Sequence, residues 1–390
     1  MSKKSFFWLS ILILALAPAL RAQTGFNIIH PFAGAPNGGD GGTGNLVLNG
    51  SYLYGATENG GAYDYGTVFR VKIDGTGFVI LHSFSGATEG SNPTGSLVLK
   101  NSLLYGLTRF GGPSGKGTIF KVDINGSGFK VLHSFAGGTA DGESPEGSLT
   151  AVGTALYGGT DGGGASNMGT IFKIGLAGTG FKVIHHFSGA DGAWASDTLI
   201  YSGTKLYGTT AAGGSANRGT LFRMSPTGSG FTVLHHFLGK PTDGEAPSLV
   251  KLTIANGVIY GTTYTGGLYD SGTIFKLNTS GSGYSVIHSF DGGTADGGNP
   301  YAGVIVVGTK LYGLTDRGGA SSSGVLYVIN TNGTGFQVLH SFAAADTSEG
   351  EPCGGLIRKV TTTLGERLYG LTTGWGTTGH RGCVFYYRVK

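Results

Sequence analysis

A Tyr-Gly pair returns seven times along this chain, at Tyr54, Tyr105, Tyr157, Tyr207, Tyr260, Tyr312 and Tyr369, with spacings of 51, 52, 50, 53, 52 and 57 residues. A period of that length restricts the fold to architectures that repeat one supersecondary unit. The second copy, "SLVLKNSLLYGLTRFGGPSGKGTIFKVDINGSGFKVLHSF", separates into four runs rich in β-branched and aromatic residues, at 96–100, 103–108, 118–123 and 129–135. Asn101-Ser102, a Gly-Gly loop and Asn125-Gly-Ser-Gly divide the runs, which is turn chemistry, and helical periodicity is absent. Each unit is therefore read as a four-stranded antiparallel meander with strands A, B, C and D.

Four strands in about 50 residues is the signature of a β-propeller blade. The two ends of the chain complement each other. The Gly-Ser/Thr-Gly turn between strands C and D occurs six times, at Gly75, Gly126, Gly178, Gly228, Gly281 and Gly333, for seven units. The missing strand D is matched near the start by "TGFNIIHPF" at 24–32, and the closing "GCVFYYRVK" matches a strand C with no D after it. An N-terminal strand that completes the last blade closes the ring and leaves no open sheet edge. The predicted fold is all-β: a seven-bladed β-propeller of four-stranded blades, one domain over residues 23–390.

Glycine fills 77 of 390 positions, a composition that would suggest disorder were it not so regularly placed. Residues 1–22 read as a secretory signal peptide, with Lys3 and Lys4 before the apolar run 6–16 and small residues before Ala22. The run is shorter than the roughly 20 residues that a membrane span needs. Losing Lys3, Lys4 and Arg21 takes three charges from the formal +4 and leaves +1, so no basic footprint for nucleic acid remains. The expected product is exported, extracellular or periplasmic, without a membrane span, and monomeric.

Nine of the ten histidines lie in copies of the strand D pattern "VLHSF". Alternation along a strand places Phe129, Val131, His133 and Phe135 on one face. Histidines repeated on the outermost strands diverge around the rim, so they cannot meet on one metal or substrate. They are expected to be scaffold, each bonded to neighbouring backbone, since a buried imidazole needs a polar partner. No metal site and no cofactor are predicted. The D-to-A loops each hold an acid, Asp40, Glu89, Asp141, Asp191, Asp243, Asp296 and Glu349, read as turn formers because the spacing fits no calcium loop.

Function is sought where the copies differ. The D-to-A and B-to-C loops share one face, and long loops carry function more often than tight turns. Just beyond strand B one position varies among repeating neighbours: Glu58, Arg109, Asp161, Ala211, Tyr264, Asp316 and Thr373. Around blades 7, 1 and 2 further unusual residues gather: Trp375, His380, Arg381, Tyr63, Asp64, Tyr65 and Phe110. Together with Glu58, Arg109 and Asp316 these form the candidate ligand site, because aromatic faces beside Arg and carboxylates suit a sugar or peptide. Trp194 lies across the ring from Trp375 and is read as covering an edge. Glu58 and Asp316 are the pair that could do acid and base work across the ring. No nucleophile elbow, zinc pair or phosphate loop stands in its structural context, and the reading leans away from an enzyme.

Cys353 precedes strand A of the last blade and Cys383 opens its strand C. Strand B intervenes, and two strand spacings of about 9.5 Å exceed disulfide reach unless a loop carries Cys353 inward. A disulfide there would staple the blade that has the noncovalent seam.

With units such as "LYGTTAAGGSANRGTLFRMSPTGSGFTVLHHF", nearly the whole chain after residue 22 resembles the GloVer repeat proteins, exported bacterial proteins first recognised in Gloeobacter and Verrucomicrobia. The resemblance implies an exported repeat protein and brings no catalytic residues. Many members of that family resemble cell-surface proteins with varied C-terminal anchors, whereas this sequence stops at its last predicted strand. The unit is also similar to a kelch blade in length and in its Gly-Gly pair, without the kelch tryptophan. The expected function is a binding scaffold for carbohydrate or peptide. The alternatives are a glycan-active hydrolase or lyase with its site on the D-to-A and B-to-C loop face, and a purely structural cell-surface protein.

Overall fold

The computed structural model describes residues 25–42, 44–195, 198–247, 251–343, 349–374 and 382–389. The expected signal peptide lies outside them. Among the described residues every regular element is a strand, and seven antiparallel blades follow one another around a ring. Blade 2 shows the unit: A at Ser91–Lys100, B at Leu103–Phe110, C at Thr118–Asp123 and D at Lys130–Ser134, paired in that order. Strand A starts earlier than the sequence suggests, with a register shift between Thr94 and Val98 where Gly95 and Ser96 line the central channel.

Three repeated motifs have direct physical causes. The Gly of each Tyr-Gly pair faces an aromatic ring of strand C, Phe in six blades and Tyr327 in blade 6: a Cβ on Gly106 would lie 2.4 Å from the Phe120 ring. Only glycine lets the ring lie flat across strand B. At the end of strand B a buried threonine meets the first threonine of strand C, as Thr108 with Thr118 at 2.9 Å and Thr57 with Thr67 at 2.8 Å. Neighbouring blades bury their faces together. One cluster joins Tyr54 and Val68 of blade 1 to Leu104 and Phe120 of blade 2, and the pattern recurs around the ring.

The ring closes as expected. Phe26–Pro31 pairs antiparallel with Cys383–Val389, Phe26 opposite Tyr387 and Pro31 opposite Cys383, as strand D of blade 7. That blade carries its strands A and B at Ile357–Thr361 and Gly365–Thr373.

Strand D departs from strict alternation. The register shifts between Val131 and His133, a bulge that places two residues opposite one. Phe129 packs on Phe120 and on His82 of the preceding blade, whereas His133 and Phe135 pack on Phe181 of the following one. Phe129 and His133 therefore serve opposite faces, contrary to the single face expected from the sequence.

The histidines are scaffold: His186 and His236 accept the backbone amides of Ala165 and Ser215 at 3.2 Å, as expected, but the histidines that stack between blades take acids as partners rather than backbone. His133 Nε2 meets Asp141 at 3.1 Å, His185 meets Asp191 at 3.0 Å, His235 meets Asp243 at 3.0 Å, His288 meets Asp296 at 2.8 Å and His340 meets Glu349 at 3.1 Å. The other face of each ring lies flat on an aromatic of the next blade, as His133 on Phe181 at 3.6 Å and His235 on Tyr284 at 3.6 Å. Each acid also shapes its own loop: Asp141 accepts the amides of Ala136 and Gly142. Burial pushes the Asp141 carboxyl upward, and His133 with those amides more than offsets it, leaving the group below its ordinary value. Burial holds His82 and His185 below the ordinary histidine value against the pull of their acids.

Cys353 and Cys383 are two thiols, not a disulfide. Cys383 stands where blades 1 to 5 have the first threonine of strand C, and Thr372 donates to its sulfur at 3.4 Å, completing the pair in another form. Burial pushes its thiol up to about 12. Cys353 faces the carbonyls of Gly41 and Gly42 in blade 1. The intervening strand B keeps the two apart.

Candidate functional site

Where strand B ends, the chain reaches the mouth of the channel, and the D-to-A loops descend into it. In blades 2 to 6 the loop turns through a non-glycine residue with left-handed backbone, Asn92, Ser144, Trp194, Ala246 and Asn299, at φ between 50 and 60°. Its amide donates to the B-to-C loop of the preceding blade, as Asn299 to Ser271 O at 2.7 Å, and its carbonyl accepts from the next, as from Asp316 N at 3.1 Å. The residues two positions further on are thereby fixed over the mouth: Glu146 in blade 3 and Tyr301 in blade 6.

Tyr301 sets the centre of the site. Its ring meets Tyr264 edge to face, centroids 5.8 Å apart. Burial raises its hydroxyl above the ordinary tyrosine value, and the charges of Glu58 and Glu146 add to the effect. Tyr264 directs its hydroxyl at Asp316, and Arg317 Nε lies 3.4 Å from the same carboxylate. Burial raises Asp316, with Arg317 and Tyr264 acting against it. Glu351 is raised by burial and then by the charge of Asp316. On the other side Arg109 pairs with Glu146, and Asp161 approaches the same group. Burial still holds Glu146 above the ordinary glutamate value. The mouth thus collects carboxylates from several blades, two arginines and two tyrosines. Each carboxylate can accept hydroxyls, and each arginine and tyrosine can donate.

The structure brings together part of the expected set. Glu58, Arg109 and Asp316 lie at the mouth. Phe110 stacks under Arg109, whose guanidinium carbon is 5.0 Å from the ring centroid. Tyr63, Asp64 and Tyr65 belong to an outer loop: Asp64 accepts the Gly60 amide at 2.7 Å and Tyr65 lies against Gly86, while Tyr63 is 61% exposed. Trp375, His380 and Arg381 lie outside the described residues. Trp194 is exposed, and its backbone bridges Met168 and Ala211. Among the described residues no group of three His, Cys, Asp or Glu side chains is placed to hold a metal, and no helix is long and apolar enough to cross a membrane.

Glu146, Tyr301, Arg317 and Glu351 were not singled out by the sequence reading. A signal exists for the first two. Thr94, Glu146, Tyr301 and Cys353 vary directly after a repeated proline, at Pro93, Pro145, Pro300 and Pro352.

Similarity to solved structures concerns the fold. An oligogalacturonate lyase from Vibrio parahaemolyticus is 11% identical over 93% of this chain and 92% of that one, with a TM-score of 0.52. The extracellular domain of a protein described as a one-component system from B. thetaiotaomicron is 12% identical over 94% of this chain and 40% of that one, with a TM-score of 0.54. No curated protein matches the chain. The Gloeobacter/Verrucomicrobia repeat matches three overlapping stretches, residues 17–154, 138–294 and 205–390, and the chain belongs to that family.

Proposed function

We propose that this propeller is an exported carbohydrate-binding scaffold whose ligand sits over the channel mouth, against Tyr301 and Tyr264. One observation carries the reading. Side chains that do not repeat converge at the mouth from different blades, while the repeated ones are consumed by packing. An aromatic pair surrounded by alternating acceptors and donors matches the apolar faces and hydroxyls of a sugar. A peptide ligand would use the same rim but gains less from so many carboxylates.

A second reading has an observation of its own. Asp316, Glu351 and Glu146 are all carboxyls displaced upward by burial, the direction in which a general acid is tuned. A glycan hydrolase or lyase would use them for proton transfer. The V. parahaemolyticus lyase with a similar fold is compatible with this but is too distant in sequence to carry it.

The deciding experiment is a glycan-array screen of the purified protein with reducing-end analysis of each bound glycan. Binding without new ends supports the scaffold, new ends support the enzyme, and failure to bind any glycan removes the carbohydrate reading.

A further inference from the structure

Below the mouth, the channel has a charge of its own. Each blade gives the channel wall the residue just before the first apolar residue of strand A: Asn45, Ser96, Ser148 and Thr198 in blades 1 to 4, Lys251 in blade 5, and glycine in blades 6 and 7. From blade 7 to blade 3 these positions are linked head to tail. Gly355 N donates to Asn45 Oδ1 at 2.8 Å, Asn45 N to Ser96 Oγ at 2.8 Å, and Ser96 N to Ser148 Oγ at 2.7 Å. In every link the side-chain oxygen accepts. Each serine therefore keeps its O–H proton, and Asn45 keeps its NH₂ group, for another partner.

Lys251 adds an ammonium to this donor-rich wall. Lys251 lines the cavity, the surrounding protein lowers its ammonium from the ordinary lysine value, and no carboxylate acts to restore it. Among the described residues no acid pairs with it. Glu146 lines the same cavity, but its carboxylate is engaged by Arg109. The free space, about 10 Å³, is that of about one water. A narrow space walled by donors and one uncompensated cation suits a single negative atom better than water, because the anion answers the charge as well as the hydrogen bonds.

We propose that the channel binds one small anion, a halide or a single carboxylate oxygen, beside Lys251 and the hydroxyls of Ser96 and Ser148. The site is independent of the glycan reading.

The test compares melting temperatures of the purified protein in chloride, bromide, acetate and methanesulfonate at equal ionic strength, with crystals grown in bromide for anomalous scattering. Chloride and bromide are expected to raise the melting temperature saturably over methanesulfonate, with a bromide peak beside Lys251 Nζ. Lys251→Met, which keeps the stem and removes the charge, should melt cooperatively and lose the dependence. Acetate matching chloride would assign the site to carboxylates, and chloride alone would assign it to halides. An unchanged halide effect in Lys251→Met overturns the proposal. So does a wild-type protein with neither halide effect nor bromide peak, and that second outcome can be read even if the variant fails to fold. Glycan binding enters none of these readouts, so the two proposals fail separately.

Discussion

The His340 ring of blade 6 lies flat on Phe26, with centroids 4.0 Å and planes 4° apart, so the seam that closes the ring repeats the stack found between the other blades. Phe26 also packs on Phe342 and Phe385. Phe26→Ala should destabilise the protein by about 3 kcal/mol, from lost packing around the cavity it leaves. Chemical denaturation measures the loss. Hydrogen exchange should locate it, with faster exchange at Cys383–Val389, the strand that Phe26–Pro31 covers.

His133→Ala removes both the stack on Phe181 and the partner of Asp141, and is expected to cost about 2–4 kcal/mol. Adding Asp141→Ala should cost less than the sum of the two single changes, because they share one interaction. A His133 variant that kept its melting temperature but lost a bound ligand would contradict the scaffold role.

Stability should fall in two steps on acidification. His30, His82 and His185 are held below the ordinary value of 6.5, so the unfolded chain takes up protons before the folded one does. Their contribution is complete above 6.5 and is lost as the pH falls toward the folded values. Asp141, Asp243 and Glu349 are held below their ordinary values of 3.8, 3.8 and 4.5. Their contribution is present above those values and goes as the pH drops through the lower folded ones. Melting temperature against pH should show the first decline below about 6.5 and the second below about 4. A flat profile between pH 7.5 and 5 would exclude the histidine part.

Cys383 should react slowly with a thiol reagent in the native protein, since its thiol is buried and pushed up to about 12. Unfolding in denaturant without reductant should expose two thiols per chain, and migration on a gel should not change with reductant. Cys383→Thr restores the residue pair used in blades 1 to 5 and should leave stability within about 1 kcal/mol.

If sugar binds at the mouth, Tyr301→Ala should weaken it about tenfold through loss of one aromatic contact of roughly 1.4 kcal/mol. Tyr63→Ala, on the outer loop, should leave affinity unchanged. The reverse result would move the site outward to blade 1.

Blade number, strand order and the closing seam were legible because each rests on local chemistry: a turn every few residues, a glycine that must face a ring, and a half unit at each end. The partner of His133 was hidden because Asp141 reads locally as a turn former, and it does form the turn while also reaching back to the imidazole. The bulge at Val131 and His133 leaves no mark in the alternation of "KVLHSF". For the site, reading only the end of strand B found Glu58, Arg109 and Asp316 and passed over Glu146 and Tyr301, which arrive from the D-to-A loops. Tyr63 and Tyr65 drew notice as unusual residues, but rarity within a repeat does not say how far from the axis a loop projects.

The pairing at the seam also has a mechanical consequence. Phe26 lies opposite Tyr387, so the outer ends of the two closing strands emerge side by side. A force applied between them would load the ladder one hydrogen bond at a time, as a zip, rather than all its bonds together in shear. A ring held by seven packed interfaces should then open under modest tension at one of them, peeling Phe26–Pro31 away while blades 1 to 6 stay folded.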